Sequence, residues 1–66
     1  MTTQELAVYL KDILNEYRLL EPSPLQAVDD VRTFDEAGLK LFNKGIVISM
    51  KDGTEFQVNI IASIYR

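Results

Sequence analysis

The chain of 66 residues contains no cysteine, no histidine and no tryptophan. Without cysteine no disulfide can form, and without cysteine and histidine the usual ligands of a structural zinc ion are missing. The side chains that most often act as general base or nucleophile at neutral pH are absent as well. We therefore expect a protein that is not an enzyme and that binds no cofactor. Domains of this size often gain stability from a second subunit when disulfides and metals are lacking.

The sequence also has no long apolar run and no basic N-terminus. No apolar run approaches the roughly 18 residues of a membrane span, and Met1 to Glu5 contain none of the lysine or arginine that opens a signal peptide. Hydrophobic residues make up 47% of the chain and charged residues 26%, which is typical of a folded domain. These features predict a single cytoplasmic domain over residues 1–66 that has no membrane segment.

Basic residues are few and scattered. Seven lysines and arginines stand against ten aspartates and glutamates, which gives a net charge of −3. The basic residues are spread along the chain, each near an acid, so no segment concentrates positive charge. A nucleic acid would be repelled by this balance, and we do not expect the chain to bind one.

An amphipathic helix is predicted over residues 3–20. Thr2 stands three residues before Glu5, the spacing of a capping box at a helix start. Apolar residues then recur at steps of three and four, and this stripe, including both tyrosines, is predicted to lie in the core. Its members are Leu6, Tyr9, Leu10, Ile13, Leu14, Tyr17 and Leu20. Pro22 and Pro24 end the helix because proline lacks the backbone N–H that the helix requires.

Residues 21–32 fit neither the helical nor the strand period, and they are predicted to be a connector. A short strand over residues 31–33 is an open alternative. Residues 33–38 have the pattern of one helical turn: Thr33 and Glu36 have capping-box spacing, and Gly38 can adopt the left-handed conformation that ends a helix. A capped turn is therefore expected between the connector and the strands.

A hairpin is predicted over residues 45–64, because apolar and polar residues alternate on both sides of Asp52-Gly53. A two-residue turn would mix the two faces of the hairpin. A three-residue connection through Gly53 instead pairs Met50 with Thr54 and Ile48 with Phe56. A second turn over Lys44-Gly45 would make residues 39–42 a further strand. The predicted fold is thus α+β, one N-terminal amphipathic helix packed on a small antiparallel meander of two to three strands.

The outer face of this sheet is the first candidate site. Val47, Ile61 and Tyr65 fall on the strand face opposite Phe56 and Val58, where a single helix would leave them exposed. An exposed apolar patch beside an unpaired strand edge favours self-association or docking of another protein. Scattered exposed apolar residues are also normal on a protein surface. The leading hypothesis is a protein-interaction module of unknown partner, in one version a homodimer.

An acidic segment is the second candidate site. Residues 21–36 carry five acids and only Arg32 as a base; the acids are Glu21, Asp29, Asp30, Asp35 and Glu36. Acids at predicted turns ordinarily cap and solvate the backbone, and these lack the spacing of a calcium loop. As an alternative function, the segment suggests an acidic regulator that imitates nucleic acid and occupies a basic groove of a host protein.

Three stretches, residues 31–38, 43–48 and 52–58, resemble small proteins encoded by bacteriophages and prophages. The resemblance covers about the second half of the chain and rests on the capped turn and the glycine hairpin. It implies no catalytic residues. It implies instead a small accessory or host-interacting protein.

Overall fold

A computed structural model describes residues 1–19 and 27–64 of the chain. In chain order these form the helix α1 (Thr3–Tyr17) and the strands β1 (Val28–Thr33), β2 (Lys44–Met50) and β3 (Glu55–Ile60). The strands make one antiparallel sheet in the order β1-β2-β3, and α1 lies across one face of it, mainly over β1 and β2. The predicted α+β fold is confirmed.

The start of α1 is the predicted capping box. The Thr2 hydroxyl accepts a hydrogen bond from the Glu5 backbone N–H at 3.0 Å, and the Glu5 carboxylate accepts one from the Thr2 backbone N–H at 3.0 Å. This pair satisfies two of the amide groups that a helix start leaves without partners. The helix ends at Tyr17, with Arg18 as its C-cap, somewhat before the predicted end near residue 20. Leu20, Pro22 and Pro24 lie outside the described residues.

Only part of the apolar stripe of α1 is buried. Ala7 is fully buried and Leu10 and Leu14 pack beside it against the sheet, whereas Tyr9 and Tyr17 are 53% and 56% exposed. The prediction that the whole stripe, with both tyrosines, lies in the core is therefore wrong. The small side chain of Ala7 lets the helix backbone approach the sheet closely, which centres the contact on this residue. The flank of the stripe that points away from Ala7 stays in solvent.

The hairpin has the predicted three-residue connection. The Met50 backbone N–H donates to the Thr54 carbonyl at 2.7 Å, and Gly53 has a φ of +93°. Ile48 lies opposite Phe56, and Ile46 lies opposite Val58. All four of these side chains therefore share the face that α1 covers in part.

The third strand comes from the connector. β1 pairs with β2 so that Val31 lies opposite Ile48, and its register shifts between Val28 and Asp30. The prediction that residues 39–42 form a strand is wrong, because Leu39 N–H donates to the Phe34 carbonyl at 2.9 Å and closes residues 34–39 into a turn. This turn begins with the predicted Thr33–Glu36 capping box, and Gly38 has the expected left-handed φ of +78°.

A second, smaller core lies on the sheet face opposite α1. The turn after β1 places Phe34 on this face, where its ring meets the buried Gly45. Val47, two residues further along β2 on the same face, is only 1% exposed. The prediction that Val47 is an exposed outer-face residue is therefore wrong. A single helix covers one face, as expected, but the turn that carries Phe34 covers part of the other.

Candidate protein-binding groove

The helix-side face of β3 is left largely uncovered. Phe56 is 53% exposed and Val58 39% exposed, although both point to the same side of the sheet as the buried Ile46. A helix with its side chains is about 10–12 Å wide and strands are about 4.8 Å apart, so one helix covers about two strands. Because α1 lies over β1 and β2, the third strand keeps an open apolar face.

One flank of α1 is attached to the β1 side of the molecule. Asn15 donates a side-chain hydrogen bond to the Val31 carbonyl at 3.0 Å, and Lys11 forms an ion pair with Glu36 at 3.3 Å. Arg18 donates to the Asn15 side chain at 2.9 Å and completes this row. These contacts fix the rotation of the helix about its axis. The opposite flank must therefore face β3.

That opposite flank carries Leu6, Ile13 and Tyr17, all exposed. Leu6 lines a cavity of about 170 Å³ together with Ile60 and Ile61, which places the first turn of α1 beside the end of β3. Asn15 contacts Val31 of β1, and Ile48 of β2 lies between Val31 and Phe56 of β3, so α1 crosses from the end of β3 at its first turn toward β1 at its last turns. The exposed flank is therefore beside β3 at the first turn of α1 and farther from it at the last turns.

Together these residues form an exposed apolar surface that is concave at its Leu6 and Ile60 end, here called the α1–β3 groove. Its wall is the exposed flank of α1 and its floor is the helix-side face of β3. The wall consists of Leu6, Ile13 and Tyr17, and the floor consists of Phe56, Val58 and Ile60. Ile60 is the half-buried end of the floor.

The groove opens into a larger cavity at the Ile60 end. This cavity measures about 480 Å³ and is lined in part by Thr3, the fully exposed Phe42 and Ile61. Ile61 is therefore exposed as predicted, and it lies next to the groove. Tyr65 lies outside the described residues. Of the three predicted contact residues, Val47 lies on the sheet face opposite α1 as predicted, but it is buried there and is not an exposed contact residue.

The two edges of the sheet differ. On the β1 edge, Asn15 donates to the Val31 carbonyl, a bulge interrupts the strand near Asp30, and Asp30 pairs with Arg32 at 3.3 Å. Bulges and charged residues at an edge discourage the pairing of a further strand. Among residues 1–19 and 27–64, no side-chain hydrogen bond to the backbone of β3 is found. Within the described residues, the β3 edge, which lies beside the groove, therefore lacks a contact like that of Asn15 at the β1 edge.

The predicted acidic cluster is interleaved with bases. Asp35 accepts two hydrogen bonds from Lys44, at 3.3 and 3.4 Å, and Glu36 pairs with Lys11. The Thr33 backbone N–H, assisted by Lys11, lowers the pKa of Glu36 below its ordinary value. Asp30 pairs with Arg32, Asp29 is exposed, and Glu21 lies outside the described residues. The folded chain therefore offsets most of the negative charge that the sequence shows in this segment.

The part of the chain that the structure describes contains no group of three or more carboxylates placed to hold a metal ion. It also contains no helix with the length and apolar character needed to cross a membrane.

No protein family, no curated protein and no solved structure matches the chain. The groove therefore has to be interpreted from its own geometry.

The sequence pattern assigned the groove residues to the core. Leu6, Ile13 and Tyr17 belong to the apolar stripe of the helix, and Phe56 and Val58 to the apolar face of the hairpin. The number of apolar residues in the stripe nevertheless indicated that some of them would be exposed. Seven stripe residues are more than one helix can bury against a three-stranded sheet, because a helix contacts only about two strands.

Proposed function

We propose that the chain is a protein-interaction module that binds its partner in the α1–β3 groove. The observation that carries the proposal is a pair of exposed apolar surfaces, the flank of α1 and the floor of β3, which come together at the cavity lined by Leu6 and Ile60. Contiguous apolar surface that includes a concavity is the usual mark of a binding site for another macromolecule. The residues with the largest apolar area there, Tyr17 and Phe56, belong to types that are enriched at protein interfaces.

The groove replaces the outer sheet face as the proposed contact surface. Ile61, a residue of the predicted outer-face patch, is exposed and lies next to the groove, where it lines the cavity at the groove's end. The resemblance to phage-encoded proteins fits a small accessory protein that acts by binding. The alternative of an acidic regulator finds less support, because Lys11, Arg32 and Lys44 pair with the acids concerned.

Site-specific photo-cross-linking in cells that express the chain tests this function. The photoreactive residue p-benzoylphenylalanine would be placed at Val58 on the floor and, as the matched control, at Gln57 on the other face of the same strand. We expect a discrete adduct with another protein from position 58 and none from position 57. Equal adducts from both positions, or adducts from neither, would contradict the proposal.

A further inference from the structure

We infer that the occupant of the α1–β3 groove is an amphipathic helix of another protein, with lysine or arginine on its polar face. This inference rests on the proposed function and adds the chemistry of the partner. Three features support it: the shape of the groove, its length, and the charges on the exposed crest of α1.

The shape of the groove fits a helix better than a strand. Its floor is the helix-side face of β3 and its wall is the exposed flank of α1, so an occupant has to contact both surfaces. Packed helices lie about 8–10 Å apart, which is about two strand spacings, so a helix beside α1 lies over β3. There it covers Phe56 and Val58 and contacts Ile13 and Tyr17 together. A strand added at the β3 edge would leave the floor exposed.

The length of the groove defines the length of the helix. Leu6 and Tyr17 are eleven residues apart on α1, which corresponds to about 16 Å along the helix axis. Phe56 and Ile60 are four residues apart on β3, which corresponds to about 13 Å. A helix of about three turns, roughly 11 residues, therefore covers the groove.

The crest of α1, the row that points away from the sheet, is acidic. Glu5, Asp12 and Glu16 lie on it together with Tyr9, at steps of four, three and four residues, and all four are exposed. Lys11 and Arg18 lie on the opposite flank of α1, where Lys11 pairs with Glu36 at 3.3 Å and more distantly with Asp12 of the crest at 3.7 Å, and Arg18 contacts Asn15. A helix in the groove would have its polar flank beside this crest. Positive charges there gain attraction, and negative charges are repelled.

The same charges argue against a second copy of this chain as the occupant. The element that a second copy would insert is its own α1, which carries the identical acidic crest. Two crests side by side would bring like charges together, which opposes association. The chain also carries a net charge of −3. The occupant is therefore a helix from a different, basic segment.

Fluorescence anisotropy with labelled synthetic peptides tests the inference. The probe is a peptide of about 14 residues, made of leucine and lysine, with leucine at helical spacing. The first comparison peptide replaces every lysine with glutamate, and the second scrambles the leucine–lysine order so that no apolar face forms. We expect the periodic basic peptide to bind at least tenfold more tightly than either comparison peptide, and more weakly at high salt.

Matched variants assign this binding to the groove. Val58→Ser removes part of the floor, and Gln57→Ser changes the opposite face of the same strand. Asp12→Asn combined with Glu16→Gln removes two charges of the crest, and Glu55→Gln removes one charge on the other side of the sheet. We expect about a tenfold loss of affinity from Val58→Ser, several-fold from the crest pair, and no change from the two controls.

Several results would overturn the inference. Equal binding of the scrambled peptide would show that charge alone attracts the probe, and equal binding of the glutamate peptide would show that the crest is irrelevant. Unchanged affinity in Val58→Ser would place the peptide elsewhere. A cross-link from position 58 to a second copy of the chain would identify the wrong occupant. A protein adduct at position 58 without binding of the basic peptide would leave the proposed function standing and reject only this partner.

Discussion

Gly45 of β2 lies close to both the ring of Phe34 and the backbone of β3. A Cβ atom at this position would lie 2.7 Å from Cζ of Phe34 and would also overlap the Val58 carbonyl oxygen. Real Cβ atoms do not approach other atoms so closely, so neighbours would have to move. The ring of Phe34 is 1% exposed and has little space to withdraw. The absence of a side chain at Gly45 therefore lets the turn after β1 close over β2.

We predict that Gly45→Ala lowers the free energy of unfolding by about 2–3 kcal/mol, the upper part of the usual range for forcing an extra methyl group into a filled site. Gly53→Ala is the comparison, because a Cβ there meets nothing within 4 Å and the strain comes only from the φ of +93°. That strain is worth about 1–2 kcal/mol. Urea unfolding of both variants measures the difference. A Gly45→Ala variant more stable than Gly53→Ala would refute the packing account.

Among the helix, strands and turns, the features that depend on residues close together in the sequence were predicted correctly. The two capping boxes and the parity of the hairpin depend on residues three to eight positions apart, and the fold contains all of them. β1 was harder to predict because of its bulge. Val28 and Val31 are three residues apart, yet both are buried in the core beneath α1, since the register shifts between Val28 and Asp30. A bulge adds a residue and so breaks the two-residue alternation by which strands are recognised.

The rotation of α1 could not be predicted from its own pattern. The apolar stripe is wider than the contact with the sheet, and the pattern does not say which part is buried. The structure selects the part centred on Ala7, while Asn15 and Lys11 attach one flank to the β1 side. The groove exists because α1 has this rotation about its axis, and the rotation depends on contacts between residues that are distant in the sequence.

We predict that Asn15→Ala destabilises the protein by about 1 kcal/mol. The variant loses the hydrogen bond of 3.0 Å from the side chain to the Val31 carbonyl, and it leaves Arg18 without its acceptor. Glu16→Ala, one position along on the exposed crest, is the control and should change stability by less than about 0.5 kcal/mol. Thermal and urea unfolding measure both. Equal effects at the two positions would show that Asn15 does not hold the helix to β1.

For the whole molecule, the groove and the small core have the same origin. Within the described residues, one helix covers about two of the three strands, and the apolar residues on the helix-side face of the third strand are exposed. A partner that binds only the folded chain raises its stability in proportion to the logarithm of its concentration over Kd. The basic peptide of the binding experiment should therefore also raise the unfolding midpoint of the protein, and the glutamate peptide should not.

Three carboxylates accept hydrogen bonds from backbone amides in three different parts of the chain. Glu5 caps the start of α1, Glu36 caps the turn after β1, and Asp52 accepts a hydrogen bond from Thr54 in the hairpin turn. In each case a hydrogen bond from a backbone amide lowers the pKa of the carboxyl group in the folded state. A carboxyl group with a lowered pKa stabilises the folded state only when it is ionised. All three lie at the surface, where solvent weakens the effect of each.

We predict that the free energy of unfolding falls as the medium is acidified below the ordinary carboxyl pKa values, 4.5 for glutamate and 3.8 for aspartate. Above those values the unfolded chain is ionised too, and the stabilisation is complete. As the pH falls toward the lowered pKa values, the unfolded chain binds protons first and the stabilisation is lost. Urea unfolding across this range measures the slope. Glu36→Gln should reduce stability at neutral pH and flatten the slope, whereas Glu16→Gln, on the exposed crest, should leave the stability at neutral pH unchanged. An unchanged slope in Glu36→Gln would show that the capping carboxylate does not link folding to pH.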